Sequence, residues 1–190
     1  MSNETAAPAA ATNEAADPAA AGEDNSGSAT GEGTTEATVA EVNGVSYPSL
    51  QAAIDAAARN ATVKLLVDTE ENVTISTPYV TFDLNGHTLN GGTEKGKPAL
   101  TVTARVTVKD SSETQTGTIK REDTAENSGV SSHYVIDIQG SGWLTFESGN
   151  VTNNSGNTAG KGASLVRVGD DSVAKYPGLN IKGGTFTQDN

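Results

Sequence analysis

Four segments of the chain repeat one short pattern, in which apolar and polar residues alternate along an extended backbone. The clearest pair is Leu144–Thr152 and Leu179–Thr187, which agree in residue character from one position to the next. Val106–Asp110 and Val80–Leu84 are weaker copies of the first half of this pattern. The four copies start roughly 26, 38 and 35 residues apart, a spacing typical of solenoids. The repetition therefore favours a fold in which similar units stack on one another.

The segment Val80–Gly91 shows how one unit is built. Its apolar residues occupy alternate positions as far as Leu84, which places them on one face of a strand. Asn85 and Gly86 follow, and both tolerate positive φ, so the chain can bend sharply there. An Asn-Gly pair between alternating apolar residues usually predicts a hairpin. Because related units recur downstream, we instead predict a corner between two sheets.

Extended segments fill most of the remaining chain, and no second helical pattern occurs. The most regular alternation runs from Leu100 to Val108 and fits two strands joined at a bend. The other predicted strands are Thr62–Asp68, Asn72–Ile75, Gly117–Lys120, Tyr134–Gln139, Trp143–Phe146, Ser164–Val168 and Leu179–Lys182. Two or three strands in each repeat, with variable loops, are what a parallel β-helix requires. We predict this all-β solenoid, with a β-sandwich as the alternative that does not need similar units.

A short helix is predicted before the strands. Val39–Tyr47 has the pattern of a strand pair, and Ser49 is suited to cap the N-terminus of a helix. The apolar positions that follow lie on one face of that helix, namely Leu50, Ala53, Ile54 and Ala57. Such a short helix is not stable alone. We expect it to cover the open end of the solenoid, where apolar side chains and strand edges are exposed.

Charge and composition divide the chain into a tail and a folded part. Residues 1–38 contain seven acidic residues and no Lys or Arg, in a chain of net charge -12. Their Ala, Thr, Glu, Gly and Pro content predicts a disordered acidic linker. We assign residues 39–61 to the strand pair and capping helix, and residues 62–190 to β-helix repeats. Since the last repeat lacks a capping segment, we expect the native chain to continue past Asn190.

Composition also argues against several classes of function. An acidic chain repels phosphate backbones, so we expect no nucleic-acid partner. The sequence contains no cysteine, which excludes disulfides and cysteine-ligated zinc. No apolar run approaches the length of a membrane-spanning helix, so we expect no membrane insertion in this segment.

Charged residues on the predicted strands are the candidates for catalysis. A polysaccharide lyase needs carboxylates to hold calcium and an Arg or Lys base beside the sugar. The predicted outward acids are Asp83, Asp110, Asp137 and Glu147, and the candidate bases are Arg105, Lys109, Lys120 and Arg121. These residues do not cluster in sequence, which favours ordinary solvated surface charges. We therefore predict no catalytic residues and no cofactor, with calcium entering only if the protein is an enzyme.

Two further sets of ionisable residues give weak evidence of chemistry. Asp170 and Asp171 are adjacent, but strand neighbours point to opposite faces, so a hydrolase pair is disfavoured. His87 and His133 lie far apart in sequence and make a poor metal site. We predict no metal site from these residues.

Three aromatic residues are candidates for contact with a carbohydrate: Trp143, Tyr134 and Tyr176. Trp143 precedes Leu144, so it faces outward if Leu144 faces the core. An exposed aromatic ring can stack on a sugar ring. The competing interpretation is that Trp143 packs beneath a loop.

Three motifs near the start of the folded part resemble pectate-lyase-like right-handed β-helix domains. These motifs are Glu41–Ala56, Val63–Val67 and Phe82–Leu89, and the similarity covers about residues 39–112 well and the rest loosely. The chain is especially similar to such domains in large surface proteins of Gram-positive gut bacteria. The resemblance implies a right-handed, single-stranded β-helix in a secreted, adhesin-like protein of the cell surface or cell wall. No signal peptide or wall-sorting motif occurs in this sequence, so that location rests on the expected continuation.

Taken together, these patterns predict a non-enzymatic cell-surface module, either an adhesin-like stalk or a domain that binds carbohydrate or a host surface. The alternative is a fragment of a carbohydrate-active enzyme of the same fold, a polysaccharide lyase or hydrolase. A third possibility is a cytosolic protein that is complete as written. Outward carboxylates gathered with an Arg or Lys in one groove would favour the enzyme, whereas a smooth Thr/Asn face would favour the module.

Overall fold

The computed structural model describes residues 37–91, 97–122, 133–154, 163–169 and 176–188. In this part of the chain there are sixteen strands and one helix, so the fold is mostly β. The predicted linker lies outside the described residues except for residues 37 and 38, and Asp170 and Asp171 also lie outside them.

The elements follow one another closely along the chain. They are β1 Ala40–Val42, β2 Val45–Tyr47, α1 Leu50–Ala56, β3 Thr62–Leu65, β4 Thr69–Glu70, β5 Val73–Ile75, β6 Val80–Asp83, β7 Thr88–Asn90, β8 Leu100–Val102, β9 Arg105–Lys109, β10 Thr118–Glu122, β11 His133–Ile138, β12 Trp143–Phe146, β13 Asn150–Asn154, β14 Ala163–Val168, β15 Gly178–Ile181 and β16 Thr185–Gln188.

The strands form three sheets, none of which closes on itself. Their strand orders are β15-β12-β9-β6-β3-β1-β2, β16-β13-β10-β7-β4 and β14-β11-β8-β5. From β3 onward the chain passes through the seven-, five- and four-stranded sheets in turn, and we call each such pass a structural repeat. Within each sheet, every strand from β6 onward pairs in parallel with the strand three positions earlier. This parallel pairing differs from that of immunoglobulin-type sandwiches, the alternative fold, whose sheets are antiparallel.

The sequence copies occupy equivalent positions in successive repeats. Val80 pairs with Val106, Val106 with Leu144, and Leu144 with Leu179. The predicted alignment of the four segments is therefore confirmed as the register of the seven-stranded sheet. The alternation of apolar residues sets this register, because a slip by one residue would turn every core residue outward.

The predicted corner at Asn85 and Gly86 is also confirmed. The strand before it, β6, belongs to the seven-stranded sheet, and the strand after it, β7, belongs to the five-stranded sheet. Both corner residues have positive φ, 49° and 82°. The predicted strand Thr62–Asp68 is wrong at its end, because β3 stops at Leu65 and the chain turns into the next sheet before Thr69.

The core consists of stacked apolar columns. In one column Val63, Phe82, Val108 and Phe146 lie in register, and each is fully buried. Burying one such side chain contributes roughly 1.5–3 kcal/mol. Because each repeat adds a residue to the same columns, successive repeats stabilise one another.

The helix α1 begins as the sequence predicts. The Ser49 hydroxyl accepts a hydrogen bond from the Ala52 amide at 3.1 Å. Leu50, Ala53 and Ile54 are buried, and the helix packs against β1, β3 and β5. The apolar face predicted from sequence is therefore the face that contacts the sheets.

Gln51 on α1 covers an exposed strand edge. Its side-chain Oε1 accepts a hydrogen bond from the Thr74 amide at 2.8 Å, and its Nε2 donates to the Thr74 carbonyl at 3.2 Å. Thr74 lies in β5, the edge strand of the four-stranded sheet. The glutamine amide thus takes the place of a neighbouring strand, which protects an edge that could pair with another chain.

We expect Gln51→Ala to lower the free energy of unfolding by about 1–2 kcal/mol, because two hydrogen bonds to backbone groups are lost. The Thr74 amide should exchange with solvent faster in this variant, as measured by hydrogen exchange. Asp55→Ala is the matched control, since it removes the other partner of the Gln51 amide and leaves Thr74 paired. Unchanged exchange at Thr74 in Gln51→Ala would contradict this role of Gln51.

Candidate ligand-binding face

The three aromatic residues predicted as ligand contacts lie on different elements. Trp143 begins β12 of the seven-stranded sheet, Tyr134 lies in β11 of the four-stranded sheet, and Tyr176 precedes β15. Trp143 is 40% exposed beside the fully buried Leu144, so it faces outward as predicted. Tyr134 is half-buried and lines a different groove, and Tyr176 is 95% exposed.

Trp143 lines a groove of about 430 Å³ on the outer face of the seven-stranded sheet. The other side chains that form this groove come from three successive structural repeats and from the segment before β3. They are Asn60, Tyr79, Thr81, Arg105, Val106, Thr107 and Thr145.

Two arginine–aromatic pairs lie at this groove, which Tyr79, Arg105 and Trp143 line, whereas Arg59 stacks on Tyr79 outside the lining. The guanidinium carbon of Arg59 lies 4.1 Å from the centroid of the Tyr79 ring, and that of Arg105 lies 5.5 Å from the Trp143 ring. The Tyr79 amide donates a hydrogen bond to the Arg105 carbonyl, which joins the two pairs. We call these four residues the Arg-aromatic column. Each stacked pair contributes roughly 0.5–1 kcal/mol at an exposed site.

The Trp143 ring rests on the backbone of the next repeat. A β-carbon at Gly178 would lie 2.3 Å from the Cε3 atom of the ring, so only glycine leaves room for it. Gly178 pairs with Trp143 in the parallel register of β15 and β12. The ring therefore packs on a neighbouring strand, with part of its surface left to solvent.

Tyr79 adopts an unusual backbone conformation. Its φ is +65°, a value that is rare for a bulky residue, and its side chain is 45% exposed. Strained, exposed residues of this kind concentrate at binding sites. Sequence reasoning missed Tyr79 because an isolated tyrosine in a strand-rich region carries no pattern, and its neighbour Arg105 is adjacent only through strand pairing.

The two arginines of the column differ from several lysines of the described residues in their surroundings. Lys109, Lys120 and Lys182 each lie within 4 Å of a carboxylate, whereas Arg59 and Arg105 contact no carboxylate within the described ranges. Arg105 in the groove and Arg59 on the Tyr79 ring thus carry positive charges without a contacting carboxylate among the described residues.

A row of small polar side chains runs beside the Arg-aromatic column. Thr62, Thr81, Thr107, Thr145 and Asn180 lie in register across five strands. Adjacent strands in a sheet are about 4.8 Å apart. We call this row the threonine column, and it presents hydrogen-bonding groups at regular intervals along one edge of the groove.

The prediction of outward, solvated acids is wrong for three of the four residues. Asp83, Asp110 and Asp137 are only 4%, 4% and 2% exposed. The Oδ1 atom of Asp83 accepts hydrogen bonds from the amides of Asn85 and Ser111 at 3.1 and 3.0 Å. Where the chain turns from one sheet to the next, its backbone amides have no strand partner. The Asp83 carboxylate accepts their hydrogen bonds instead.

Asp110 serves the same purpose at the next corner. Its carboxylate accepts hydrogen bonds from the amides of Gly86, Ser112 and Gly117 at 2.9, 2.9 and 2.6 Å. Burial by itself raises the pKa of Asp110. The hydrogen bonds together lower the pKa by more than burial raises it, so it lies below the ordinary value of 3.8.

Asp137 is held in a side-chain network on the four-stranded sheet. Arg167 donates to it through Nε at 2.8 Å and Nη2 at 2.5 Å, and the Gln139 amide donates at 2.6 Å. These contacts raise the pKa of Arg167 above its ordinary value. The Arg167 guanidinium also lies 4.6 Å from the Tyr134 ring centroid, in a groove of about 510 Å³. The carboxylate is thus engaged by neighbours and does not project freely.

The four candidate bases lie in different surroundings. Arg121 is fully buried, and its Nη1 donates to the Tyr134 carbonyl at 3.3 Å, so its prediction as an outward base is wrong. Lys120 contacts Glu122 at 2.7 Å, and this hydrogen bond lowers the pKa of Glu122. Of the four candidate bases, Arg105 alone lines the groove beside Trp143.

The remaining predicted ionisable residues lie elsewhere. Glu147, the fourth acid, is exposed as predicted, and the Nζ of Lys182 donates to it at 3.0 Å. The Nδ1 of His87 lies 3.4 Å from the carboxylate of Asp68. The side chain of His133 lies outside the described residues. In the described ranges, no group of three or more His, Asp or Glu side chains could hold a metal ion.

The chain matches no protein-family model, no curated protein and no solved structure. Among the residues that the structure describes, there is no helix with the length and apolar character needed to cross a membrane.

We expect Asp110→Asn to lower the free energy of unfolding at pH 7 by about 1.5–3 kcal/mol, since hydrogen bonds to a charged acceptor are lost. The folded-state pKa of Asp110 is depressed, so its stabilisation is present above the unfolded pKa and is lost as pH falls through the folded pKa. Urea unfolding at pH 7 and pH 3 should show a smaller acid-induced loss in Asp110→Asn than in wild type. The exposed Glu113→Gln is the control, and an equal effect in both variants would contradict the assignment.

Proposed function

We propose that this chain is a right-handed parallel β-helix of a bacterial cell surface, and that it binds carbohydrate without cleaving it. The parallel pairing of strands from successive structural repeats supports the β-helix. The resemblance of Glu41–Ala56 and Phe82–Leu89 to adhesin-like β-helix domains supports the surface location.

The Arg-aromatic column is the observation that carries the binding proposal. Tyr79 and Trp143 present partly exposed rings in one groove, where the apolar face of a sugar can pack. The threonine column beside them supplies hydroxyl groups for hydrogen bonds to the sugar. A groove that is open along its length suits a chain of sugars better than a single small molecule.

The charge of the groove indicates which sugars bind best. Arg59 and Arg105 contribute positive charge that is not balanced by a contacting carboxylate in the described ranges. A guanidinium recognises carboxylate or sulfate groups through paired hydrogen bonds. We therefore expect acidic polysaccharides to bind more tightly than neutral ones of similar length.

The buried acids argue for binding without cleavage. A lyase or hydrolase needs carboxylates that reach the sugar, whereas Asp83, Asp110 and Asp137 each accept hydrogen bonds from their own neighbours. None of these three acids lines the groove beside Trp143.

We expect Trp143→Ala and Tyr79→Ala each to weaken binding about tenfold, which corresponds to about 1.4 kcal/mol. Affinity electrophoresis against a panel of acidic and neutral polysaccharides measures this effect. Tyr134→Ala is the matched control, because it removes an aromatic ring from the four-stranded sheet. Thermal unfolding of each variant establishes that its fold is intact.

Two results would overturn the proposal. One is retention of full affinity by folded Trp143→Ala and Tyr79→Ala for every polysaccharide that the wild type binds. The other is an equal loss in folded Tyr134→Ala, which would show that the loss of affinity is not specific to the groove beside Trp143. Release of shortened or unsaturated sugar products by the wild type would instead support the enzyme alternative.

A further inference from the structure

A second column of the seven-stranded sheet consists of charged residues, of which Asp83 is buried. Each of them directly follows an apolar residue of its strand. All occupy equivalent positions, with Glu147 and Lys182 one residue past the last paired residues of β12 and β15. In spatial order they are Glu41, Lys64, Asp83, Lys109, Glu147 and Lys182. The sign of the charge alternates at every step, and we call this set the charge column.

Neighbouring members of the column carry opposite charges, and two of the five neighbouring pairs lie within 4 Å of each other. Glu41 pairs directly with Lys64, and Lys64 with Asp83, in the register of their strands. The Nζ of Lys109 lies 3.6 Å from Asp83 Oδ2, and the Nζ of Lys182 lies 3.0 Å from Glu147 Oε1. Opposite charges placed directly across adjacent strands stabilise a sheet, and like charges destabilise it.

The alternation has a period of two strands, which distinguishes correct stacking from stacking that omits a repeat. If β12 paired with β6 instead of β9, Glu147 would lie against Asp83. If β9 paired with β3 instead of β6, Lys109 would lie against Lys64. Every pairing that omits one repeat therefore brings like charges together.

The threonine column and the inward columns of the seven-stranded sheet do not make this distinction. The threonine column offers the same residue type at Thr81, Thr107 and Thr145, and the inward columns are apolar in every repeat. A stack with one repeat omitted would still bury apolar side chains and pair threonines. Specificity then requires a feature that penalises the wrong arrangement.

We propose that the charge column specifies the order in which the repeats stack, by opposing pairing between strands that are two repeats apart. It acts outside the apolar columns and leaves the apolar core free to use similar residues in every repeat. This role is independent of ligand binding, because the charge column does not line the groove beside Trp143.

Cysteine cross-linking tests the proposal, since the 190-residue sequence contains no cysteine. Thr107 and Thr145 are paired on adjacent strands, so the double variant T107C/T145C reports correct stacking. Thr81 and Thr145 lie two strands apart, about 9.6 Å at the usual strand spacing. That separation exceeds disulfide reach, so T81C/T145C forms a disulfide only when a repeat is omitted.

The substitution E147K reverses the preference at one step of the column. In correct stacking it places a positive charge between Lys109 and Lys182, and in stacking that omits a repeat it faces Asp83. After refolding from denaturant, we expect the T81C/T145C disulfide to increase several-fold in the E147K background, and the T107C/T145C disulfide to decrease. The neutral E147Q should give an intermediate result, and it serves as the test variant if E147K does not refold.

The control E113K makes the same change in net charge at an exposed loop position outside the column. Because the chain carries a net charge of -12, a general charge effect would not destabilise either variant. We expect E147K to lower Tm by about 2–4 °C and E113K to leave it unchanged. Adding 1 M salt should reduce the difference between the two variants, since the Debye length falls to about 3 Å.

Two outcomes would overturn the proposal. The first is an equal yield of the T81C/T145C disulfide in the wild-type, E113K and E147K backgrounds. If E147K does not refold, E147Q takes its place in this comparison. The second is an increase in E147K that persists unchanged in 1 M salt, which would assign the effect to side-chain shape rather than to charge.

Discussion

Parallel, in-register pairing between successive structural repeats is the constraint on which the other features depend. It places each residue beside its equivalents, so the sheet consists of columns with one kind of side chain. Apolar and threonine columns benefit from this arrangement, because like side chains pack well against each other. Like charges repel when they lie side by side, which explains why the charged positions alternate in sign from Glu41 to Lys182.

The corners between sheets impose a second requirement. Where the chain leaves one sheet for the next, its amides have no strand partner and must find another acceptor. Asp83 and Asp110 supply that acceptor at two successive corners, and the Asn85 amide group donates to the Leu65 carbonyl at one of them. Acidic residues that would suit a catalytic groove are therefore part of the backbone hydrogen bonding. The groove beside Trp143 is left with Arg105, two aromatic rings and threonine hydroxyl groups.

Local patterns were sufficient to predict most of the fold. Alternation of apolar residues located the strands. The repeated segments that contain Val106 and Leu144 gave the register, because a shift by one residue would turn the apolar side chains away from the core. Ser49 marked the start of the helix because capping depends on residues three positions apart. The burial of Asp137 and Arg121 could not be predicted, because it depends on groups that come close only after the repeats have stacked.

The sequence by itself determined that this chain is an all-β protein of repeated strands with a short helix at its start, and that Trp143 faces outward. These properties follow from alternation and spacing within a few residues of chain. Only the tertiary structure decided that Tyr79, Arg105 and Trp143 form one groove. They are far apart in sequence and become neighbours through strand pairing between repeats, which no local pattern specifies.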